Sequence, residues 1–160
     1  MKTISLLLLL FSCSFFKQET FHLETAWGKK IPLRLAIEEE VQRKGLSGIP
    51  DSQFSTEEGM LFVYNEMAPR RFWMPDTYFD LDIIFLSEDL TIIQIERDVP
   101  HHPGKEEPPP IATTKTVMAY HILEMRSNSK VSKELKIGDK FIWRGPSPLP
   151  EIALRTHQQK

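Results

Sequence analysis

The side chains best equipped for chemistry crowd into one stretch, where Arg70, Arg71, Trp73, Asp76, Thr77, Asp80 and Asp82 follow one another closely. On an extended backbone Asp80 and Asp82 share a face with their Cα atoms roughly 6.5–7 Å apart. Paired carboxylates at such a separation suit general acid–base work, as in glycoside hydrolysis. A plainer arrangement fits the same residues: Asp82 bonded to loop amides, Arg71 paired with an aspartate, Trp73 and Met74 in the core. A second group, His101 and His102 with Glu106 and Glu107, offers metal-ligand types. Adjacent side chains on an extended loop point opposite ways, however, which works against both histidines holding one ion; a solvated loop is the alternative. Glu124 stands between Leu123 and Met125 as a buried acid, for which Arg71 is a structural partner. His121, on the same strand, reads as a hydrogen-bonded core residue.

Composition narrows the classes of function. A chain of 160 residues with 41% hydrophobic content builds one domain with a real core. Twenty basic residues against 22 acidic ones leave a formal charge of -2, so no basic excess exists to displace counterions from nucleic acid. There is no Gly-x-Ser-x-Gly and no phosphate-cradling glycine loop, and neither nucleotide chemistry nor a cofactor is expected. A single cysteine excludes an internal disulfide and a cysteine-based zinc cluster.

The elements that must position these residues follow from periodicity. Phe21, Leu23 and Thr25 alternate weakly, and Ile31 to Ile37 alternates clearly. Glu38-Glu39-Glu40 opens a helix whose acids suit the dipole, ended by Gly45 or Gly48, with Val41 and Leu46 facing the core. Met60 to Tyr64 and Arg71 to Met74 read as strands, Leu81 to Leu86 and Leu90 to Glu96 as a hairpin, and Val117 to Met125 as a central strand. Asn128 caps a short helix to Leu135, Lys140 to Trp143 is a last strand, and the tail after Pro146 is expected to be disordered. About seven strands and two short helices predict a single α+β domain on a largely antiparallel sheet.

The chain opens with Lys2 and an apolar run from Ile4 to Phe11, the anatomy of a secretory signal and too short to span a bilayer comfortably. Leu10-Phe11-Ser12-Cys13 resembles a bacterial lipoprotein box. The resemblance implies cleavage before Cys13, diacylation of its thiol and a stable membrane anchor. Loss of Lys2 with residues 1–12 would bring the mature charge to -3. Ser14 after the cysteine resembles lipoproteins sent onward to an outer membrane. A plain signal peptide cut near Ser14, giving a secreted protein, and an uncleaved anchor are the alternatives.

Three separated segments carry a wider likeness: Lys44-Gly45-Leu46-Ser47-Gly48, Glu58 to Tyr64, and Arg71-Phe72-Trp73-Met74-Pro75-Asp76-Thr77 running into Leu81 to Phe85. With Leu123-Glu124-Met125 and Leu135 to Asp139, they resemble the bacterial and archaeal family called domain of unknown function 192, over about residues 30 to 143. Pro75-Asp76 replaces the family's usual Lys-Asn, Asp80 its Pro, and His101-His102 occupies a loop where many members carry cysteines. The resemblance implies a fold and an exported location, and no known activity. The expected layout is a signal peptide over 1–12, a lipidated tether with a possible first strand over 13–29, the domain over 30–143 and a disordered tail over 144–160.

The functional expectation is a membrane-tethered envelope domain that binds a small ligand, glycan or envelope protein through Arg71, Trp73, Asp76, Thr77, Asp82 and Glu124. The alternative is a hydrolase acting on envelope or extracellular polysaccharide with Asp76, Asp80 and Asp82. A metal-handling loop at His101 and His102 is the weakest reading. If Cys13 carries lipid, metabolic labelling with a palmitate analogue marks the protein and Cys13→Ala abolishes the label; persistence of the label in that variant rules the anchor out.

Overall fold

Two runs of six residues, Leu81–Leu86 (β5) and His121–Arg126 (β8), pair antiparallel at the heart of the sheet. Their β-branched and aromatic side chains suit a surface covered on both faces. The computed structural model describes residues 20–154; the expected signal segment, Cys13 and residues 155–160 lie outside them. Around β5 and β8 run His22–Glu24 (β1), Lys30–Ala36 (β2), Gly59–Phe62 (β3), Ile92–Val99 (β6) and Ile142–Arg144 (β9). The order across the seven-stranded sheet is β6-β5-β8-β3-β2-β1-β9. All its pairings are antiparallel except β2 with β3, which are parallel. The sheet is therefore mixed, a refinement of the largely antiparallel expectation, because Glu39–Lys44 (α1) supplies the crossover between those two strands.

Alternation along the strands divides the interior in two. On one face Leu61, Ile84, Leu123 and Met125 pack with Val131 and Leu135 of the second helix segment and Leu149, Ile152 and Ala153 of the third. On the other, Met60, Phe62, Ile83, Phe85 and Ile122 pack with Leu46, Phe54, Met74 and Phe79. Lys130–Glu134 (α2) is capped by Ser129, whose side chain accepts from the Ser132 amide, one residue beyond the expected Asn128. Leu149–Leu154 (α3) lies within the tail expected to be disordered. Its Leu149, Ile152 and Ala153 are buried at helical spacing, so hydrophobic burial orders a segment expected to be disordered. Among the described residues the domain thus has three short α-helices, where two were expected.

Ala68–Arg70 (β4) and Val117–Ala119 (β7) make a separate two-stranded ribbon. The strand expected over Arg71 to Met74 is displaced accordingly, and Trp73 keeps only a single bridge to Thr113. Beyond Arg70 the ribbon pairing stops, and the Phe72 and Met74 amides donate to Thr114 Oγ1 and the Ala112 carbonyl instead. The expected central strand over 117–125 is correspondingly split into β7 and β8. Val41, expected in the core, is 36% exposed, whereas Leu46 is buried. No helix among the described residues is long and apolar enough to cross a membrane.

Asp82 settles the polar account of the α2 face. Its carboxylate accepts from Arg97 Nη1 at 2.6 Å, from Ser132 Oγ at 2.6 Å and from the Asp98 amide at 2.9 Å. The same guanidinium donates to the Ser132 and Leu135 carbonyls at the C-terminal end of α2. Asp82 is buried while Arg97 stays about a third exposed, so removing the acid strips the buried Ser132 hydroxyl of its acceptor as well as the guanidinium of its charge partner. Asp82→Ala is expected to lower unfolding stability by about 3 kcal/mol, read from urea denaturation, while Ser87→Ala in the exposed hairpin turn changes it far less.

Candidate functional site

A cavity of about 300 Å³ opens between α1 and the ribbon, lined among others by Arg43, Lys44, Gly45, Phe62, Tyr64 and Glu124. Local bonds fix both walls. Gln42 Nε2 donates to the carbonyls of Ala36 and Val63, tying α1 to the sheet. The helix ends at Gly45, where φ is +51°, a left-handed backbone that glycine adopts at little cost. Ser47 Oγ then donates to the Pro75 carbonyl at 2.9 Å and the Gly48 amide to the Asp76 carbonyl at 2.7 Å. On the far wall Phe72 stands edge-on to Phe62 and to Phe85, its ring centroid 4.9 and 6.5 Å from theirs. A second depression of about 420 Å³ shares Arg43, Lys44, Ser47, Trp73 and Pro75 and adds Glu40 and Lys105.

The lining is polar in a particular way. Glu124 is 4% exposed, and its Oε2 is buried with no hydrogen-bond partner. Burial pushes its carboxyl up to about 8, so at neutral pH it is protonated, able to donate and to accept. Arg70 lies over the Tyr64 ring, 3.6 Å from its centroid, and its Nε is likewise buried and unpartnered. Burial pushes Tyr64 up to about 12, only partly offset by the Arg70 charge. Behind this lining, and not part of it, His121 accepts from the Tyr64 amide at 3.2 Å. Burial, and secondarily Arg70, hold its ring down to about 4. The site is therefore an uncharged floor under a cationic mouth.

The residues singled out in the sequence are distributed unevenly around it. Arg71, Trp73, Thr77 and Glu124 line the cavity. Trp73 is 60% exposed, not a core residue, and Arg71 donates to Thr113 Oγ1 instead of meeting an aspartate or Glu124. Thr77 is buried and structural as well: its hydroxyl donates to the Met74 carbonyl and accepts from the His102 amide. Asp76 does not line the cavity; it holds a positive φ of 52° and accepts from Tyr78 Oη. Asp82 belongs to the opposite face of the sheet, because even-numbered residues of β5 point to α2 while Glu124 of β8 points to α1. Asp80 meets the His101 ring at 2.6 Å at the surface. The three aspartates thus occupy three separate environments and form no acid–base pair.

The histidine pair diverges in the same manner. His101 turns outward to Asp80, and His102 is buried with its ring nitrogens 2.8 and 3.0 Å from the Gly104 and Pro109 carbonyls. No group of three or more metal-ligand side chains gathers among the described residues. Sequence reasoning did not assign Arg43, Lys44, Gly45 or Tyr64 to a site. The Lys44-Gly45 pair was visible as a motif, and its placement needed the crossover between β2 and β3.

Comparison with known proteins gives this arrangement a family. Residues 21–143 match domain of unknown function 192, described as an uncharacterized ACR. The chain belongs to this family. The match takes in residues 21–29 as well, and with them β1, which pairs with both β2 and β9. The domain of unknown function 192 chain is similar to a protein from Sinorhizobium meliloti 1021 described as a candidate transcription regulator. Identity is 27% and the TM-score 0.59, covering 78% of this chain and 92% of that one. It is similar also to a protein of unknown function from Novosphingobium aromaticivorans DSM 12444, at 26% identity and TM-score 0.59, covering 78% and 84%. No curated protein matches the sequence.

The two buried titratable groups tilt stability in opposite directions. Folded Glu124 keeps its proton to about pH 8, whereas an ordinary glutamate releases it near 4.5; stability falls as pH rises between those values. Folded His121 refuses a proton until about pH 4 against an ordinary 6.5, so stability falls as pH drops through that lower window. Between pH 6.5 and 8 only the Glu124 slope remains of the two, at most about 1.4 kcal/mol per pH unit. Urea midpoints across that interval are expected to decline in the wild type and to flatten in Glu124→Gln.

Proposed function

We propose that this chain is an exported, membrane-tethered domain whose cavity between α1 and the β4–β7 ribbon binds a small ligand. The N-terminal apolar run and the lipoprotein-like context of Cys13 support the tether and an envelope location, on the periplasmic face of an outer membrane where the source has one. The observation that carries the binding reading is Glu124. A carboxyl buried on a strand with an unpartnered oxygen costs about 1–3 kcal/mol, and this one lines an open cavity instead of a packed interior. A group kept at such a cost is accounted for by a partner that arrives from outside. Trp73 and Arg71 at the mouth supply a flat apolar face and a forked donor. The hydrolase alternative has lost its shared carboxylate cleft.

Replacing the acid by an apolar residue of similar size distinguishes a functional group from a structural one. Glu124→Leu is expected to raise the melting temperature by about 5 °C, measured by calorimetry near pH 7. A fall instead would show that Glu124 holds the fold together, and the binding reading would lose its main support.

A further inference from the structure

We infer that the occupant of this cavity is an anionic saccharide, a polyhydroxylated ligand carrying a carboxylate of the uronic-acid type. The inference rests on the binding reading above and adds the ligand's chemical class. The first argument is the distribution of arginine partners. Arg34, Arg97, Arg126 and Arg144 each pair with a carboxylate, Glu58, Asp82, Asp51 and Glu24 respectively. Among the described residues the remaining three, Arg43, Arg70 and Arg71, pair with none, and all three line the cavity. Arg70 stacks on the Tyr64 ring and donates to the Glu66 carbonyl, and Arg71 donates to Thr113 Oγ1, all neutral partners. Lys44 lines the same cavity and Lys105 the adjoining depression. The acids lining the two are Glu40, at the outer depression, and Glu124. An arginine fork left without a carboxylate at a concave mouth matches one brought by a ligand, which it can grip through two parallel bonds.

The second argument comes from the floor. Glu124 is uncharged at neutral pH and offers no cation to an anion at the floor; a neutral carboxyl that donates and accepts fits a ligand hydroxyl, which does the same. The third is Trp73. Its exposed indole at the mouth offers a flat apolar surface, on which the C–H face of a pyranose ring can lie. A cavity of about 300 Å³ lies at the small end of the usual range for ligand sites, in keeping with one or two sugar rings. Carboxylate, hydroxyls and an apolar ring face occur together in a uronic acid.

The test is a titration of the full chain, followed by the nuclear magnetic resonance shift of the Trp73 indole N–H, at neutral pH. The probes are D-glucuronate, glucose as its neutral counterpart, and acetate and inorganic phosphate as anions without a ring. Glucuronate is expected to shift the resonance and to bind at least tenfold more tightly than each of the other three. Arg71→Ala and Glu124→Leu, each confirmed folded by its amide spectrum, are expected to weaken it about tenfold or more. Glucose binding equally well overturns the anionic assignment, and acetate or phosphate binding equally well overturns the saccharide assignment. If none of the four binds while Glu124→Leu still raises the melting temperature, the ligand class is wrong and the binding reading stands. If none binds and Glu124→Leu lowers it, both fall.

Discussion

Strands β3 and β5 consist wholly of buried residues, and β8 is buried from His121 to Met125. A polar side chain on any of them must find its partner on whichever face alternation assigns it. That constraint sends Asp82 to the α2 face, where Arg97 and Ser132 satisfy it. It sends Glu124 to the α1 face, where Oε2 has no partner. Two acids on neighbouring strands thus take opposite roles. One closes a polar network under a helix, and the other leaves a hydrogen-bonding group at the floor of a cavity. The register between β5 and β8, which sets Asp82 against Met125 and Ile83 against Glu124, is what keeps the roles apart.

Much of the domain was legible in the sequence because it is local. The β5–β6 hairpin, the helix entered through Glu38-Glu39-Glu40 and closed at Gly45, and the buried acid at 124 follow from periodicity and end signals. The motif blocks placed the chain in its family without reference to structure. What could not be read is non-local. Spacing puts Asp80 and Asp82 on one face only while the backbone stays extended; Asp80 lies ahead of β5 and meets His101 at the surface, while Asp82 is buried under α2. The parallel pairing of β2 with β3, and the bridge between Trp73 and Thr113, join segments whose own sequences do not specify each other. The third helix is a different case: Leu149, Ile152 and Ala153 have helical spacing, but the segment is short and carries Pro146, Pro148 and Pro150.

The site itself was half visible. Arg71, Trp73, Thr77 and Glu124 stood out by type, and they do line the cavity. Their relation to Arg43, Lys44 and Tyr64 exists only once α1 is clamped to the sheet by Gln42 and to the following turn by Ser47. Charge pairing across the fold adds what composition hides. A net charge near zero conceals a segregation: among the described residues, arginines away from the cavity are neutralised by carboxylates and those around it are not.

Gly45 gives the floor of this cavity its depth. A Cβ there would stand 3.1 Å from the tip of the Phe62 ring and 3.8 Å from Glu124 Oε2. The space in front of the acid is therefore shaped by a missing methyl group, at a position whose backbone already favours glycine. Reach toward the acid is governed by the main chain, while charge selection is handled by side chains further out. The two can vary independently: one added carbon would exclude bulky groups from the carboxyl without altering the arginines that greet them.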